Sequence, residues 1–123
     1  MARILVIDDS AHIRDTLASC LPKLGHDVVL ASDGETGLTK ADPAWVDLVL
    51  LDVELPRMSG LTVCGTLKRD EARRCLPVVM MTGRPTDAVR LQAAKAGATT
   101  LLVKPFALAE LAEEIERHLP VRS

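Results

Sequence analysis

The sequence predicts an α/β protein with a doubly wound, five-stranded parallel sheet and helices on both faces. Two observations carry this prediction. Short aliphatic and β-branched runs alternate along the chain with longer segments whose apolar residues recur at helical spacing. The most apolar of the short runs has no polar face, which is typical of a strand buried inside a parallel sheet. Strands separated by helices form βαβ units, and their crossovers share one hand.

The run at residues 46–52 is the predicted centre of the sheet. Apart from Asp47 it is continuously apolar, and it stops at the carboxylate of Asp52. The loop that follows, 53–60, contains proline and glycine and cannot continue the strand. We therefore expect Asp52 at the carboxyl edge of the sheet, where open α/β folds bind ligands and carry out chemistry.

The chain before this run supplies two strands and two helices. A strand at 4–7 precedes a helix whose apolar residues are Ile13, Leu17, Cys20, Leu21 and Leu24. Pro22 lacks the N–H that would bond the carbonyl four residues earlier, so we expect it to distort or shorten the last turn. Gly25 is suited to the position just after the end of that helix, where glycine is common. A second strand at 28–31 and a weak helix ending before Pro43 complete this half.

The chain after the central run continues the alternation. A helix begins near Gly60 and carries Leu61, Cys64 and Leu67. The fourth strand, 77–82, begins with a proline, which a strand tolerates at its first position. An alanine-rich helix closed by Gly97 leads to the fifth strand at 100–103. The apolar positions of the last helix are Leu108, Leu111, Ala112, Ile115 and Leu119.

Length and composition favour one folded domain of the commonest size. Of the 123 residues 48% are hydrophobic and only 2% are aromatic, so the core must be aliphatic. No repeat, linker or low-complexity segment interrupts the chain. We expect residues 1–123 to form a single domain with no output domain.

Charge, hydropathy and cysteine content exclude several classes of protein. The net charge of −2 argues against a nucleic-acid-binding surface, and no apolar run approaches the roughly 18 residues that span a bilayer. A strand begins directly after residues 1–3, which leaves no room for a signal peptide. The cysteines Cys20, Cys64 and Cys75 are odd in number and lack metal-ligand spacing. We expect a cytoplasmic protein without a membrane or nucleic-acid partner.

Polar residues follow four of the five predicted strands. Asp8 and Asp9 come after the first strand, Asp52 ends the third, Thr82 ends the fourth and Lys104 follows the fifth. Each residue alone has an ordinary explanation, such as a helix cap or a solvated lysine. Because the carboxyl ends of parallel strands meet at one edge, the combination predicts a single site.

The chemistry of such a site follows from its charges. Three carboxylates within about 4–6 Å repel by a few kcal/mol per pair, so they require a cation. Oxygen ligands without histidine or cysteine favour a hard ion such as Mg²⁺, which also binds phosphate oxygens. Lys104 and Thr82 can donate to phosphoryl oxygens, and Asp52 can act as nucleophile to form an aspartyl phosphate.

The ordered set of motifs resembles the response-regulator receiver domain of two-component signalling. The resemblance covers the whole chain, and its motifs are Asp8-Asp9, Asp52 followed by Leu55-Pro56 and Gly60, Thr82, and Lys104-Pro105-Phe106. It implies the flavodoxin-like strand order 2-1-3-4-5. It also implies a cis peptide bond before Pro105.

The resemblance further implies transfer of a phosphoryl group to Asp52 from a phosphohistidine. The donor is a sensor histidine kinase or a histidine phosphotransfer protein, in a two-component system or phosphorelay. Asp9, Asp52 and the backbone carbonyl of Glu54 are assigned to Mg²⁺, with Asp8 assisting largely through water. The resemblance also implies a domain that catalyses its own phosphorylation and dephosphorylation but is not otherwise an enzyme. It implies, finally, that the surface switched for a downstream protein is the face of the fourth helix, fifth strand and fifth helix.

Other functions remain open at this stage. A non-phosphorylated pseudo-receiver acting only as an interaction module is one alternative, although none of the site residues is missing. A haloacid-dehalogenase-type Mg²⁺ phosphatase also uses an aspartate nucleophile, but it needs a second aspartate where this chain has Glu54. A flavin carrier would suffer repulsion between its phosphate and Asp8-Asp9. The chain also departs from many receivers in having Leu101 where an aromatic residue is common.

Overall fold

A computed structural model describes residues 2–119 as a five-stranded sheet with five helices. In chain order the elements are β1 (Arg3–Ile7), α1 (Ala11–Lys23), β2 (Asp27–Ala31), α2 (Gly34–Lys40), β3 (Leu48–Asp52), α3 (Gly60–Arg69), β4 (Val78–Thr82), α4 (Asp87–Ala96), β5 (Thr100–Val103) and α5 (Leu108–His118). All neighbouring strands pair in parallel, in the order β2-β1-β3-β4-β5. The predicted fold class and strand order are confirmed.

Two apolar clusters cover the two faces of the sheet. Alternate residues of each strand point to opposite faces, so Leu50 of β3 packs with α1 and α5 while Leu51 packs with α3 and α4. Every residue of β3 and β4 is buried. This explains why both strands are apolar up to their last residues, Asp52 and Thr82, which are buried as well. Within residues 2–119 every helix is too short or too polar to cross a bilayer.

The central strand begins later than the sequence indicates. Residues 46–47 belong to the connection before β3, where the Asp47 carboxylate accepts a hydrogen bond from the Arg3 N–H at 2.8 Å. The Asp47 N–H in turn donates to the Arg3 carbonyl at 2.8 Å. The fourth strand likewise begins at Val78, one residue after the proline. The two hydrogen bonds between Asp47 and Arg3 hold the connection before β3 against the start of β1, although residues 46–47 are not part of the strand.

Pro22, which we expect to distort or shorten the last turn of α1, lies inside the helix. The helix runs one residue further, to Lys23, because its end is stabilised by backbone bonds that need no N–H from Pro22. The Gly25 N–H donates to the Pro22 carbonyl at 3.0 Å, and the His26 N–H to the Leu21 carbonyl at 3.1 Å. Gly25 has φ +90°, the left-handed conformation predicted for this position.

Gly60 lets α3 begin directly against the end of β3. Its N–H donates to the Val53 carbonyl at 3.0 Å, and a Cβ at this position would collide with the backbone carbonyl of Asp52. The absence of a side chain therefore sets the path of the loop between the strand and the helix.

We expect Gly60→Ala to lower the free energy of unfolding by about 1–3 kcal/mol, because the backbone around Asp52 must shift to admit a methyl group. Gly83→Ala is the matched control, since a Cβ there meets no atom within 4 Å. Urea unfolding of both variants measures the difference. Equal stability of the two variants would contradict the close-approach role of Gly60.

Candidate functional site

Three carboxylates meet at the carboxyl ends of β1 and β3. Because these strands are neighbours in the sheet, Asp8 and Asp9 lie beside Asp52, and the three side chains can present oxygens that all lie within 4.8 Å of one another. Asp8 and Asp52 are buried, whereas Asp9 is exposed. The structure thus brings together the acidic residues that the sequence predicts at one edge.

Lys104 reaches this acidic group from the end of β5. Its Nζ lies 2.9 Å from Asp8 Oδ2 and 3.5 Å from Asp52 Oδ1. The peptide bond from Lys104 to Pro105 is cis, as the resemblance implies. Partial burial lowers the pKa of Lys104, but the hydrogen bond that Lys104 donates to Asp8 and the charges of both carboxylates outweigh this effect and raise the pKa. Lys104 therefore remains a cation.

The pKa of the Asp52 carboxyl group is raised above its ordinary value. Burial and the neighbouring charge of Asp8 raise its pKa to about 6, against the opposing effects of Lys104 and of a hydrogen bond from the Glu54 N–H at 3.2 Å. Carboxyl groups with strongly shifted pKa values are typical of functional sites. At neutral pH Asp52 is therefore largely ionised.

The loop that carries Asp8 is held in place by α1. The Ser10 N–H donates to Asp8 Oδ1 at 2.9 Å, and the Ser10 hydroxyl caps the helix by accepting from the Ile13 N–H at 3.3 Å. Arg14, one turn into the helix, donates from Nη1 to the Asp8 carbonyl at 2.8 Å. The sequence analysis missed Arg14; its position one turn into a helix that follows two aspartates was the available signal.

Thr82 and Glu54 are joined by a hydrogen bond that the sequence analysis did not predict. The Thr82 hydroxyl donates to Glu54 Oε2 at 2.8 Å, and the Gly83 N–H donates to Glu54 Oε1 at 3.2 Å. The Glu54 side chain therefore turns toward β4 and away from the three aspartates. Only its backbone remains available for the metal role that the resemblance implies.

An apolar cavity opens beside Lys104, between the start of α1 and the loop after β5. Its volume is about 440 Å³, and its lining is His12, Ile13, Thr16, Leu17, Lys104, Pro105 and Phe106. The cavity thus presents an apolar surface next to Lys104. Phe106, the single phenylalanine of the chain, forms part of this surface.

Comparison with known proteins identifies the family. A family profile described as the response regulator receiver domain matches residues 4–116. The chain is 40% identical over 111 residues to the DNA-binding dual master transcriptional regulator RpaA of Synechocystis sp., covering 90% of this chain and 46% of the relative. It is 37% identical to the phosphate regulon transcriptional regulatory protein PhoB of Escherichia coli, covering 93% and 50%. The chain thus spans about half the length of these curated relatives.

Solved structures give the same answer. The chemotaxis protein CheY4 of Vibrio cholerae superposes with a TM-score of 0.90 at 32% identity, covering 97% of this chain and 99% of that one. The response regulator TrrA of Thermotoga maritima, solved in complex with Mg²⁺ and BeF, superposes with a TM-score of 0.86 at 34% identity, covering 97% and 100%. The profile, the sequence relatives and these structures agree on one family. The chain belongs to the response regulator receiver domains, which are the phosphoacceptors of two-component signalling.

Proposed function

We propose that Asp52 accepts the phosphoryl group, from a phosphohistidine and with Mg²⁺ as cofactor. The observation that carries this proposal is the position of Asp52. Its carboxylate ends a wholly buried strand, lies beside Asp8 and Asp9, and is 3.5 Å from Lys104 Nζ. The proposed nucleophile, the Asp52 carboxylate, therefore lies next to the Lys104 ammonium and to two further carboxylates that can help to bind a metal cation.

The donor atoms present fit Mg²⁺. The three aspartates offer only oxygens, which hard divalent cations prefer, and one lysine does not neutralise three carboxylates. We assign direct ligation to Asp9, Asp52 and the backbone carbonyl of Glu54, with Asp8 assisting through water. When bound, the ion supplies positive charge to both the carboxylates and the incoming phosphoryl oxygens.

In the proposed transfer, an Asp52 carboxylate oxygen attacks phosphorus as the bond from phosphorus to the donor imidazole nitrogen breaks. The electron pair of that bond returns to the imidazole. The Lys104 ammonium and the Thr82 hydroxyl donate hydrogen bonds to the phosphoryl oxygens and stabilise the charge that spreads over them. Hydrolysis of the aspartyl phosphate by water uses the same groups, so the domain catalyses both its phosphorylation and its dephosphorylation.

Two surfaces suit the two protein partners of such a domain. The apolar cavity is lined in part by Lys104, whose Nζ is 3.5 Å from Asp52, and it suits docking of a sensor histidine kinase or histidine phosphotransfer protein. The face of α4, β5 and α5 exposes Leu91 and Leu108, which are 56% and 45% accessible. We assign the downstream protein target to this second face, where exposed leucines offer apolar anchors.

Incubation with acetyl phosphate and Mg²⁺ tests the proposed function. We expect the intact mass of the full chain to rise by one phosphoryl group, because the site can catalyse its own phosphorylation from a small donor. Removal of the metal by EDTA is expected to abolish the gain. Absence of incorporation with Mg²⁺, or equal incorporation in EDTA, would contradict the proposal.

A further inference from the structure

The Glu54 side chain links the end of β3 to the end of β4. One carboxylate oxygen accepts a hydrogen bond from the Thr82 hydroxyl at 2.8 Å, and the other accepts one from the Gly83 N–H at 3.2 Å. The Glu54 backbone is held too, because its N–H donates to Asp52 Oδ1 at 3.2 Å. Glu54 thus contacts the proposed nucleophile through its backbone, and through its side chain it contacts Thr82, the last residue of β4, and Gly83, the residue after it.

The Thr82 hydroxyl can donate a hydrogen bond to only one acceptor at a time. A hydroxyl carries a single proton, and here the lone-pair side of Thr82 Oγ1 already accepts from the Arg84 N–H at 2.9 Å. Thr82 is fully buried, so water does not offer an alternative partner. Its proton is therefore committed to Glu54 and becomes available to a phosphoryl oxygen only when that bond breaks.

Breaking the bond is easy for Glu54. Its side chain is exposed, so the carboxylate can turn into water and regain hydrogen bonds there. The contact is consequently reversible, with a modest cost that is set by the exchange of protein partners for water.

We propose that the Glu54 carboxylate is an internal competitor of the phosphoryl group. It occupies the Thr82 hydroxyl and the Gly83 N–H while Asp52 is unmodified, and it must leave them when a phosphoryl group arrives. This inference rests on the proposed function of Asp52. It assigns to Glu54 a positioning role, through Thr82, that is separate from the metal contact proposed for its backbone carbonyl.

Binding of beryllium fluoride, a phosphoryl mimic, measures the competition. With saturating Mg²⁺, we expect the full-length Glu54→Ala variant to bind it about fivefold more tightly than the wild type, since the cost of displacing one hydrogen-bonded carboxylate is removed. Glu54→Gln should lie between the two. Both variants keep the backbone carbonyl, so the proposed metal contact is unchanged.

Two controls separate competition from a general effect of charge. Glu35→Ala removes an exposed carboxylate of α2. The hydrogen bond that caps this helix is donated by the Thr36 N–H to Asp33, so the substitution leaves it in place. This control should change the affinity by less than about twofold. In a Thr82→Ala background, the gain from Glu54→Ala should shrink to about twofold or less, because the main contested donor is gone.

A second readout needs neither metal nor mimic. In metal-free protein, the amide hydrogen of Gly83 should exchange faster in Glu54→Ala than in the wild type, because it loses its acceptor. If the wild type fails to bind beryllium fluoride, the proposed function is wrong. If the wild type binds but Glu54→Ala binds no more tightly, or Glu35→Ala gains as much, the competition is disproved while the proposed function stands.

Discussion

Replacing Asp52 with asparagine should abolish phosphorylation and at the same time stabilise the metal-free protein. An amide is not a nucleophile toward phosphorus, so incorporation from acetyl phosphate should fall to zero. The amide is also neutral, which removes a buried charge beside Asp8. At pH 8 in EDTA, we expect the free energy of unfolding to rise by about 1–3 kcal/mol.

The pH dependence of this gain follows from the raised pKa. Asp52 has a pKa of about 6 in the folded protein and an ordinary value of 3.8 when unfolded. The folded state therefore holds its proton more tightly, and the stability that this provides is present below pH 3.8 and lost as pH rises through 6. The advantage of Asp52→Asn should accordingly be small near pH 4 and reach its full size by pH 8.

Urea unfolding in EDTA at several pH values checks this result. Asp33→Asn is the control with the opposite sign, because the Thr36 N–H lowers the pKa of Asp33 and its charge is favourable. That variant should gain nothing at pH 8. An Asp52→Asn variant that is less stable than the wild type at pH 8 would refute the electrostatic cost assigned to Asp52.

Lys104→Met should lose both stability and reactivity. Asp8 is fully buried, and the variant leaves it without the ammonium group that lies 2.9 Å away. Removing one partner of a buried ion pair typically costs about 3–5 kcal/mol, and we expect about 2–4 kcal/mol here because Lys104 is partly exposed. The rate of phosphorylation should fall by about 100-fold or more, since one donor to the developing charge is lost.

The two effects of Lys104→Met can be separated with metal. Saturating Mg²⁺ should restore much of the stability by neutralising the aspartates, but it should not restore the rate of phosphoryl transfer. Lys95→Met is the control, since Lys95 is an exposed residue in the last turn of α4. A Lys104→Met protein that reacts at the wild-type rate would remove Lys104 from the mechanism.

The sequence predicted the sheet well because its central strands are apolar on both faces. Burial of both faces makes β3 and β4 read as uninterrupted aliphatic runs, and their order along the chain fixes which polar residues reach the shared edge. The gathering of Asp8, Asp9 and Asp52 followed from the same topology. The cis peptide before Pro105 came from the family resemblance alone.

The features that the sequence did not predict depend on side-chain direction or on local hydrogen bonds. The Glu54 side chain points toward Thr82 because of its rotamer, and the spacing of residues in the sequence does not determine a rotamer. The late start of β3 reflects bonds between Asp47 and Arg3, residues that are far apart in the chain. The helix that continues past Pro22 depends on backbone bonds beyond its own end. None of these contacts follows from the spacing of apolar residues along the chain.

Chemical trapping of the phosphorylated residue tests the central claim most directly. Sodium borohydride reduces an aspartyl phosphate to homoserine, which peptide mass spectrometry locates in the sequence. After reaction with acetyl phosphate and Mg²⁺, we predict homoserine at position 52 and at no other aspartate. Homoserine at Asp8 or Asp9, or a phosphorylated protein without homoserine at position 52, would contradict the assignment of Asp52 as the phosphoacceptor.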